Sequence, residues 1–388
     1  MNSPERGFPD VEYENRTVAI QQAMRGNEVD ALLLTTESNV RYFSGFFTQF
    51  WQSPTRPWFL LVPADGKPVA VIPEVGVSGM AQTWIEEILS WPSPRPGDDG
   101  ISLLAGRIQE LPRRFGKIGM MLGPETHLRM PVENFQALKE ALREYEFIDL
   151  SHLVHAQRMV KSDLEISKTR KICQIASATF EALPQFAGAG MTEEQVVRKM
   201  KIDLLERGAD SVSYVVAGSG PGGYDSIIMG PTDRILRDGD LLIIDTGSTY
   251  DGYFCDFDRN WSFGYARDDT RKAYEVVWEA TEAGFQAARP GATTSDLWRA
   301  MNEVMERGGS LGNDVGRLGH GLGMELTERP SNTPTDHTVL EPGMVMTLEP
   351  GMAFAPGRQM VHEENIVITE EGADWLTRRA PRELPVIR

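Results

Sequence analysis

Along roughly the first 160 residues, short apolar runs at 31–34, 58–62, 69–72, 117–121 and 147–150 alternate with amphipathic stretches. Each run has the length of a strand, so the pattern predicts an α/β domain over residues 1–160. The Ser/Pro/Gly-rich segment 90–100 reads as a loop within it, with Trp91 packed rather than functional.

From residue 161 the period changes. Residues 163–186 place Glu165, Lys168, Arg170 and Lys171 among apolar positions at helical spacing, which marks a junction and a second domain over 161–388. A further helix starts at Thr192, where Gln195 completes a capping box, and stops at Gly208. Strands are expected at 212–217, 241–245, 253–257, 345–349 and 363–369. Helices are expected at 270–288 and 294–307, the latter capped by Thr294 or Ser295. Strands mixed with paired helices imply an α+β second domain rather than a doubly wound sheet.

At 388 residues, two domains are the default, and 41% hydrophobic with 24% charged residues describes an ordinary globular chain. The net charge of −17 disfavours nucleic acid and anionic membranes as partners. Cys173 and Cys255 are far apart and offer no disulfide framework, and no apolar leader or spanning segment is visible. The expectation is a cytoplasmic protein.

The chemistry lies in an ordered set: Asp245, Asp256, His320, Glu349 and Glu363. Alone, an Asp at a strand end is more often a turn or cap, and a Glu there is more often solvated surface. Together, carboxylates that can bridge and one imidazole suit a pair of divalent ions, while the absence of thiolates argues against a structural zinc finger. The segment 241–245 reads as a strand ending on Asp245, and Asp256 follows on a second strand, so a hairpin can join the two acids. His320 sits in Leu318-Gly-His-Gly-Leu-Gly323, where small neighbours allow close approach.

Asp245-Thr-Gly with Gly252-Tyr-Phe-Cys-Asp256, then Gly319-His-Gly-Leu-Gly323, Leu348-Glu-Pro-Gly351 and His362-Glu-Glu-Asn-Ile-Val-Ile-Thr369 resemble the successive ligand motifs of the pita-bread metallopeptidase superfamily. That superfamily includes aminopeptidase P, prolidase, methionine aminopeptidase and creatinase. The resemblance runs motif by motif over about 160–370. Ser38-Asn-Val-Arg-Tyr-Phe-Ser-Gly45 is similar to the early segment of the creatinase, prolidase and aminopeptidase P branch. It implies a C-terminal pita-bread domain behind a smaller creatinase-type α/β domain, a homodimer, and two ions on all five residues, manganese first and cobalt, zinc or iron as alternatives.

Peptidases of this family also carry two histidines that bind substrate and shuttle protons. Here their positions fall at Ile228 and Thr327, neither of which can relay a proton. Creatinase shows the opposite combination, lacking the metal set and keeping a histidine. Asp258 and Arg259 stand in Asp258-Arg-Asn260 where the family has Thr-Arg-Thr. Asp258 can hold a water or a cationic group or pair with Arg259, and pairing is the simpler reading. Candidates for catalysis are therefore Glu349, Asp258 and Glu328; candidates for substrate contact are Tyr224, Asp225, Ile228, Thr327 and Arg259. His362 should face away from Glu363 by strand alternation. Gly218-Ser-Gly-Pro-Gly-Gly223 satisfies a dinucleotide fingerprint, but no helix signature follows it.

The leading expectation is a two-metal hydrolase of the Xaa-Pro aminopeptidase or prolidase type, cleaving a small peptide or amide through a metal-bridging hydroxide. The alternatives are a creatinase-like C–N hydrolase or lyase on a small zwitterionic metabolite, and a non-catalytic peptidase-like binding protein.

Overall fold

The computed structural model describes residues 3–313 and 316–388, which divide into Glu5–Arg158 and a larger unit, Met159–Arg388, that also takes in Ser3 and Pro4. The smaller unit is built on a six-stranded sheet of β1 (Ala31–Leu34), β2 (Phe59–Pro63), β3 (Val69–Pro73), β4 (Glu87–Trp91), β5 (Lys117–Met120) and β6 (Glu146–Asp149), in the order β4-β3-β2-β1-β5-β6. Strands β1 to β3 are buried along their whole length, which is why they read as unbroken apolar runs. Strand β4 corrects the sequence reading: Ser90 and Trp91 belong to an edge strand rather than to a loop. Its polar, half-exposed Glu-Ile-Leu-Ser carries no clean alternation, as suits an edge. Trp91 is packed, 6.1 Å from the Phe59 ring.

The larger unit carries one mixed and one antiparallel sheet. One joins β7 (Ser211–Pro221), β8 (Asp240–Tyr250), β9 (Tyr253–Phe254) and β10 (Phe257–Phe263). The other strands of the unit are β11 (His320–Gly321), β12 (Glu328–Ser331), β13 (Val345–Leu348), β14 (Gly351–Ala355), β15 (Arg358–Val361), β16 (Glu364–Ile368), β17 (Ala373–Trp375) and β18 (Val386–Ile387). Strand β18 completes the first sheet, in the order β18-β10-β8-β7 with β9 on β8. The second sheet runs β12-β11-β13-β16-β17, and β14–β15 form a separate ribbon.

Strand β8 explains its own sequence. Leu242 and Ile244 pack into one core, with Ile172, Val196 and Met200 from the helices Asp163–Ala182 and Glu193–Glu206. Leu241 and Ile243 pack into another, with Ala273, Val277, Leu297 and Met301 from the helices Asp268–Ala287 and Thr294–Arg307. A strand covered on both faces cannot alternate with polar residues, so Leu-Leu-Ile-Ile is forced. It does not end at Asp245, as expected, but continues to Tyr250.

Tyr250 pairs with Tyr253 across a two-residue Asp251-Gly252 turn, both residues at positive φ (50° and 83°), the geometry of a type I′ hairpin. The expected strand 253–257 is broken, with Cys255 and Asp256 between β9 and β10. Strand β7 runs past Ala217 to Pro221, so Gly218 and Gly220 pair with Ile243 and Leu241 inside the sheet rather than forming a phosphate loop. Ser162 with Glu165 and Thr192 with Gln195 form capping boxes. The last helix is capped by Thr293 with Asp296, not by Thr294 or Ser295, which are buried in its first turn.

The hairpin tip is anchored by a buried ion pair, Lys168 Nζ to Asp251 Oδ2 at 2.5 Å, while Tyr253 donates to Glu165 at 2.9 Å. Removing one partner leaves a buried charge uncompensated. Lys168→Met should therefore cost about 3–5 kcal/mol of stability, read as a lowered urea midpoint at unchanged m-value.

Candidate metal centre

Strand pairing brings the acids together. On β8, Asp245 stands opposite Asp258 of β10 and Val216 of β7. Asp256 lies in the gap before β10, Glu349 directly after β13, and Glu363 in the gap between β15 and β16. His320 opens β11. Ligand atoms of Asp256, His320 and Glu363 all lie within 4.8 Å of one another, and all three residues are buried.

His320 is aimed by its second nitrogen. Nδ1 lies 2.8 Å from the Gly321 carbonyl, and when it donates there Nε2 keeps its lone pair, 3.3 Å from Asp256 Oδ2. The His320 amide is held by Thr347 Oγ1 at 3.1 Å.

The cluster is short of positive charge. Desolvation and then repulsion from Asp256, Asp258 and Glu349 push the Asp245 carboxyl well up, and burial with Asp256, Glu349, Asp245 and Asp258 does the same at Glu363. Burial raises Glu349 to about 7. At His320, burial opposes protonation but the hydrogen bond and charge of Asp256 outweigh it, so its pKa is raised. Asp245 Oδ1 and Glu363 Oε1 are buried without any hydrogen-bond donor. Unpartnered oxygens in a nest of acids and one imidazole fit divalent cations held by Asp245, Asp256, His320, Glu349 and Glu363.

Asp258 is buried and raised well above the carboxylate range, chiefly by desolvation. The expected pairing with Arg259 is not what forms. Neighbours on a strand face opposite ways, and Arg259 turns to Glu364 at 2.8 Å and to the carbonyls of Asp258, Glu363 and Arg378. Asp258 instead accepts from Asn260 Nδ2 at 3.3 Å. Arg259 thus lies in a structural network rather than facing the acids. Glu328 is drawn away as well, by a 3.0 Å buried pair with Lys161.

Tyr224 is a core residue, its hydroxyl donating to Asn260 and accepting from the Val361 amide at 2.7 Å. Asp225 is exposed, with its carbonyl bonded to Gln359, and Ile228 is 79% exposed. Thr327 is exposed and accepts from Arg317 Nη2 at 3.3 Å. His362 turns to Thr281 Oγ1 at 3.0 Å, and burial holds it well below the usual histidine range, hence neutral.

Two residues of the centre went unread in the sequence. Tyr214 Oη bonds Asp245 Oδ2 at 3.0 Å and also reaches Asp256 Oδ1. Burial and the surrounding acids raise its pKa well above the usual tyrosine range, so the phenol stays protonated. Its ring lies over Gly247, where any Cβ would meet Tyr214 Cε1 at 2.2 Å, which explains the glycine in Asp-Thr-Gly. Asn365 is the second. In the gap between β9 and β10, Asp256 has no ladder partner, and the Asn365 carboxamide replaces one: it accepts from the Asp256 amide at 3.0 Å and donates to the Asp256 carbonyl. Cys173 Sγ lies 3.3 Å from the same Oδ1.

Residues 167–371 match the family model described as metallopeptidase family M24, more than half of the chain, and residues 16–160 match the creatinase/prolidase N-terminal domain. The chain belongs to metallopeptidase family M24. This M24 chain is 29% identical over 387 residues to the probable dipeptidase PepE of Mycobacterium tuberculosis, covering 98% of each protein. Among solved structures it is similar to dipeptidase PepE from Mycobacterium ulcerans, with 28% identity, a TM-score of 0.85, and 98% and 99% of the two chains covered. It is also similar to a prolidase from Thermococcus sibiricus, with 25% identity, a TM-score of 0.86, and 96% and 99% covered. The α+β, pita-bread architecture with a creatinase-type N-terminal domain is thereby established, and the M24 protein is a metal-dependent hydrolase.

Glu349 ionises near 4.5 in an unfolded chain but at about 7 in the metal-free fold. The fold then retains a proton that the unfolded chain releases, so this group's contribution falls as pH rises through that window. Metal binding displaces the proton. The manganese-induced rise in Tm should grow between about pH 5 and about pH 7.5, and Glu349→Gln should flatten that growth in parallel thermal melts. Separately, Asn365→Ala frees the Asp256 peptide and should weaken manganese binding about 10- to 100-fold by calorimetry, with far-UV circular dichroism unchanged.

Proposed function

We propose that the protein hydrolyses a small peptide, most simply an Xaa-Pro dipeptide or short peptide, using two divalent cations held by Asp245, Asp256, His320, Glu349 and Glu363. The observation that carries this reading is the convergence of Asp256, His320 and Glu363 within 4.8 Å, beside unpartnered oxygens on Asp245 and Glu363. Relatives named dipeptidase, Xaa-Pro dipeptidase and prolidase support the substrate class. Manganese as the ion, a homodimer and a cytoplasmic location belong to the same proposal.

Bound cations would polarise the scissile carbonyl and lower the pKa of an attacking water. Glu349, whose carboxyl sits at about 7 before cations bind, is the group we assign to take the water's proton. Tyr214 keeps its phenolic hydrogen and gives it to the Asp245 and Asp256 carboxylates, which orients both as ligands. Asp258, across from Asp245, adds negative charge to the cluster and favours cations in it.

Ile228 and Thr327, standing where the family's histidines are expected, favour a second reading in which the amide is that of a small zwitterionic metabolite. The test is turnover of a panel of Xaa-Pro dipeptides and longer Xaa-Pro peptides by protein loaded with Mn²⁺, Co²⁺, Zn²⁺ or Fe²⁺. Cleavage is expected with at least one ion, with Glu363→Gln and His320→Ala each losing at least about 1,000-fold. A panel left intact with every ion overturns the peptidase reading, and the same protein is then screened against guanidino compounds and compatible solutes.

A further inference from the structure

Asp258 is a carboxylate only 2% exposed that pairs with no cationic side chain. Among the described residues no lysine, arginine or histidine forms an ion pair with it. Arg259, next to it on β10, turns to Glu364 at 2.8 Å and reaches only the backbone carbonyl of Asp258. The hydrogen bonds that the carboxylate does make come from neutral donors. Asn260 Nδ2 lies 3.3 Å from Asp258 Oδ1, and the Glu363 amide also donates to the carboxylate. The Asn260 carboxamide cannot turn its oxygen to Asp258 instead. Its Nδ2 is committed to the Val361 carbonyl at 2.7 Å, and its Oδ1 accepts from the Tyr224 hydroxyl at 3.1 Å. Both partners therefore present hydrogens, and the position is shaped for an anion. Neutral donors lessen the penalty of burying a charge without removing it, and buried charges are paired or coordinate metals.

The strand register shows where a cation would meet it. Asp258 stands directly opposite Asp245 in the antiparallel β8–β10 pair, so the two side chains leave the sheet on one face, with Cβ atoms about 4.5–5.5 Å apart. On its other side it is bonded to the peptide of Glu363. Asp245 and Glu363 are the two acids of the centre that end in a buried oxygen without a donor, and the charge of Asp258 raises both of their carboxyls. The unpaired carboxylate thus adjoins the two open ligand positions.

We propose that Asp258 is a sixth protein ligand of the metal pair, bound beside Asp245, and that it biases the centre toward an oxygen-preferring, six-coordinate ion such as manganese over zinc. The proposal goes beyond the five ligands and rests on their reading as a two-cation site. Four ligand carboxylates balance two divalent charges; Asp258 makes five. A shell of five carboxylates and one imidazole suits a hard ion of high coordination number, whereas zinc favours four ligands rich in nitrogen and sulfur. The family resemblance has threonines at 258 and 260, and the two departures act together: one brings the charge, and the other brings the amide that spans from Val361 to hold it.

The experiment titrates manganese by calorimetry into metal-free wild type, Asp258→Asn and Asp258→Thr. Bound metal is counted after dialysis against equal manganese and zinc, and each metal-free protein is melted. Both variants should bind manganese at least about 10-fold more weakly, with a lower ratio of bound manganese to zinc. Metal-free Asp258→Asn should melt at the wild-type temperature or above, because a neutral amide of the same shape relieves repulsion among the acids. A crystal structure of the manganese-loaded wild type should place an Asp258 oxygen within about 2.4 Å of an ion. Unchanged manganese affinity in both variants overturns the proposal. So does an affinity lost together with a lowered metal-free melt, which marks a packing role, or an Asp258 carboxylate beyond about 3 Å from both ions. Two ions bound in the wild type and equally in the variants leave the five-ligand site standing; no uptake by the wild type overturns that site and the sixth ligand together. Since no peptide enters the experiment, an uncleaved Xaa-Pro panel counts against the peptidase reading alone.

Discussion

Five carboxyl groups, on Asp245, Asp256, Asp258, Glu349 and Glu363, are drawn into one poorly hydrated cluster, and their mutual repulsion is the constraint to which the surrounding structure answers. Two unit charges about 4 Å apart repel by about 4 kcal/mol even at an effective dielectric constant of about 20. A nest of this kind cannot remain fully ionised by itself. Either protons enter, as the raised Asp245, Glu349 and Glu363 carboxyls record, or cations do. The two states compete for the same oxygens, which ties the occupancy of the site to pH and to folding stability.

Such a cluster has to be held from outside, because its own electrostatics push it apart. The backbone does this through features that have little to do with acids. Strand β8 is covered on both faces and carries Asp245 on a rigid, fully paired segment. The Asp251-Gly252 turn folds the chain back, and Lys168 and Glu165 grip its tip. Where the ladder fails at Asp256, the Asn365 carboxamide takes the place of a neighbouring strand. Gly247 leaves the room in which the Tyr214 ring crosses to two carboxylates.

These supports also explain what could be read from the chain. The five metal-binding candidates lie in short local motifs, and strand ends with small neighbours can be recognised within a few residues. Tyr214 and Asn365 act on Asp256 from 42 and 109 positions away, and nothing local marks them. The pairing expected of Asp258 and Arg259 failed for a local reason. Adjacent strand residues point to opposite faces, so Arg259 turns to Glu364 while Asp258 faces the acids. Glu328 looked free because its partner, Lys161, lies far upstream. Strand β4 went unread because an edge strand need not show alternation, and β8 was cut short because a carboxylate inside a doubly covered strand resembles its end.

Ile228 and Thr327 offer no imidazole where the family resemblance leads one to be expected, which narrows what the remaining groups can do. An imidazole both accepts and donates near neutral pH. The Tyr214 phenol, with its pKa raised, keeps its hydrogen on the Asp245 and Asp256 carboxylates, and Glu349 can accept a proton only in its ionised form. Both residues, on β7 and just beyond β13, lie within the acidic cluster, and neither is an exposed group at its rim. On the reading proposed above, activation of a substrate then falls to the bound cations and the carboxylates that hold them rather than to a relaying side chain.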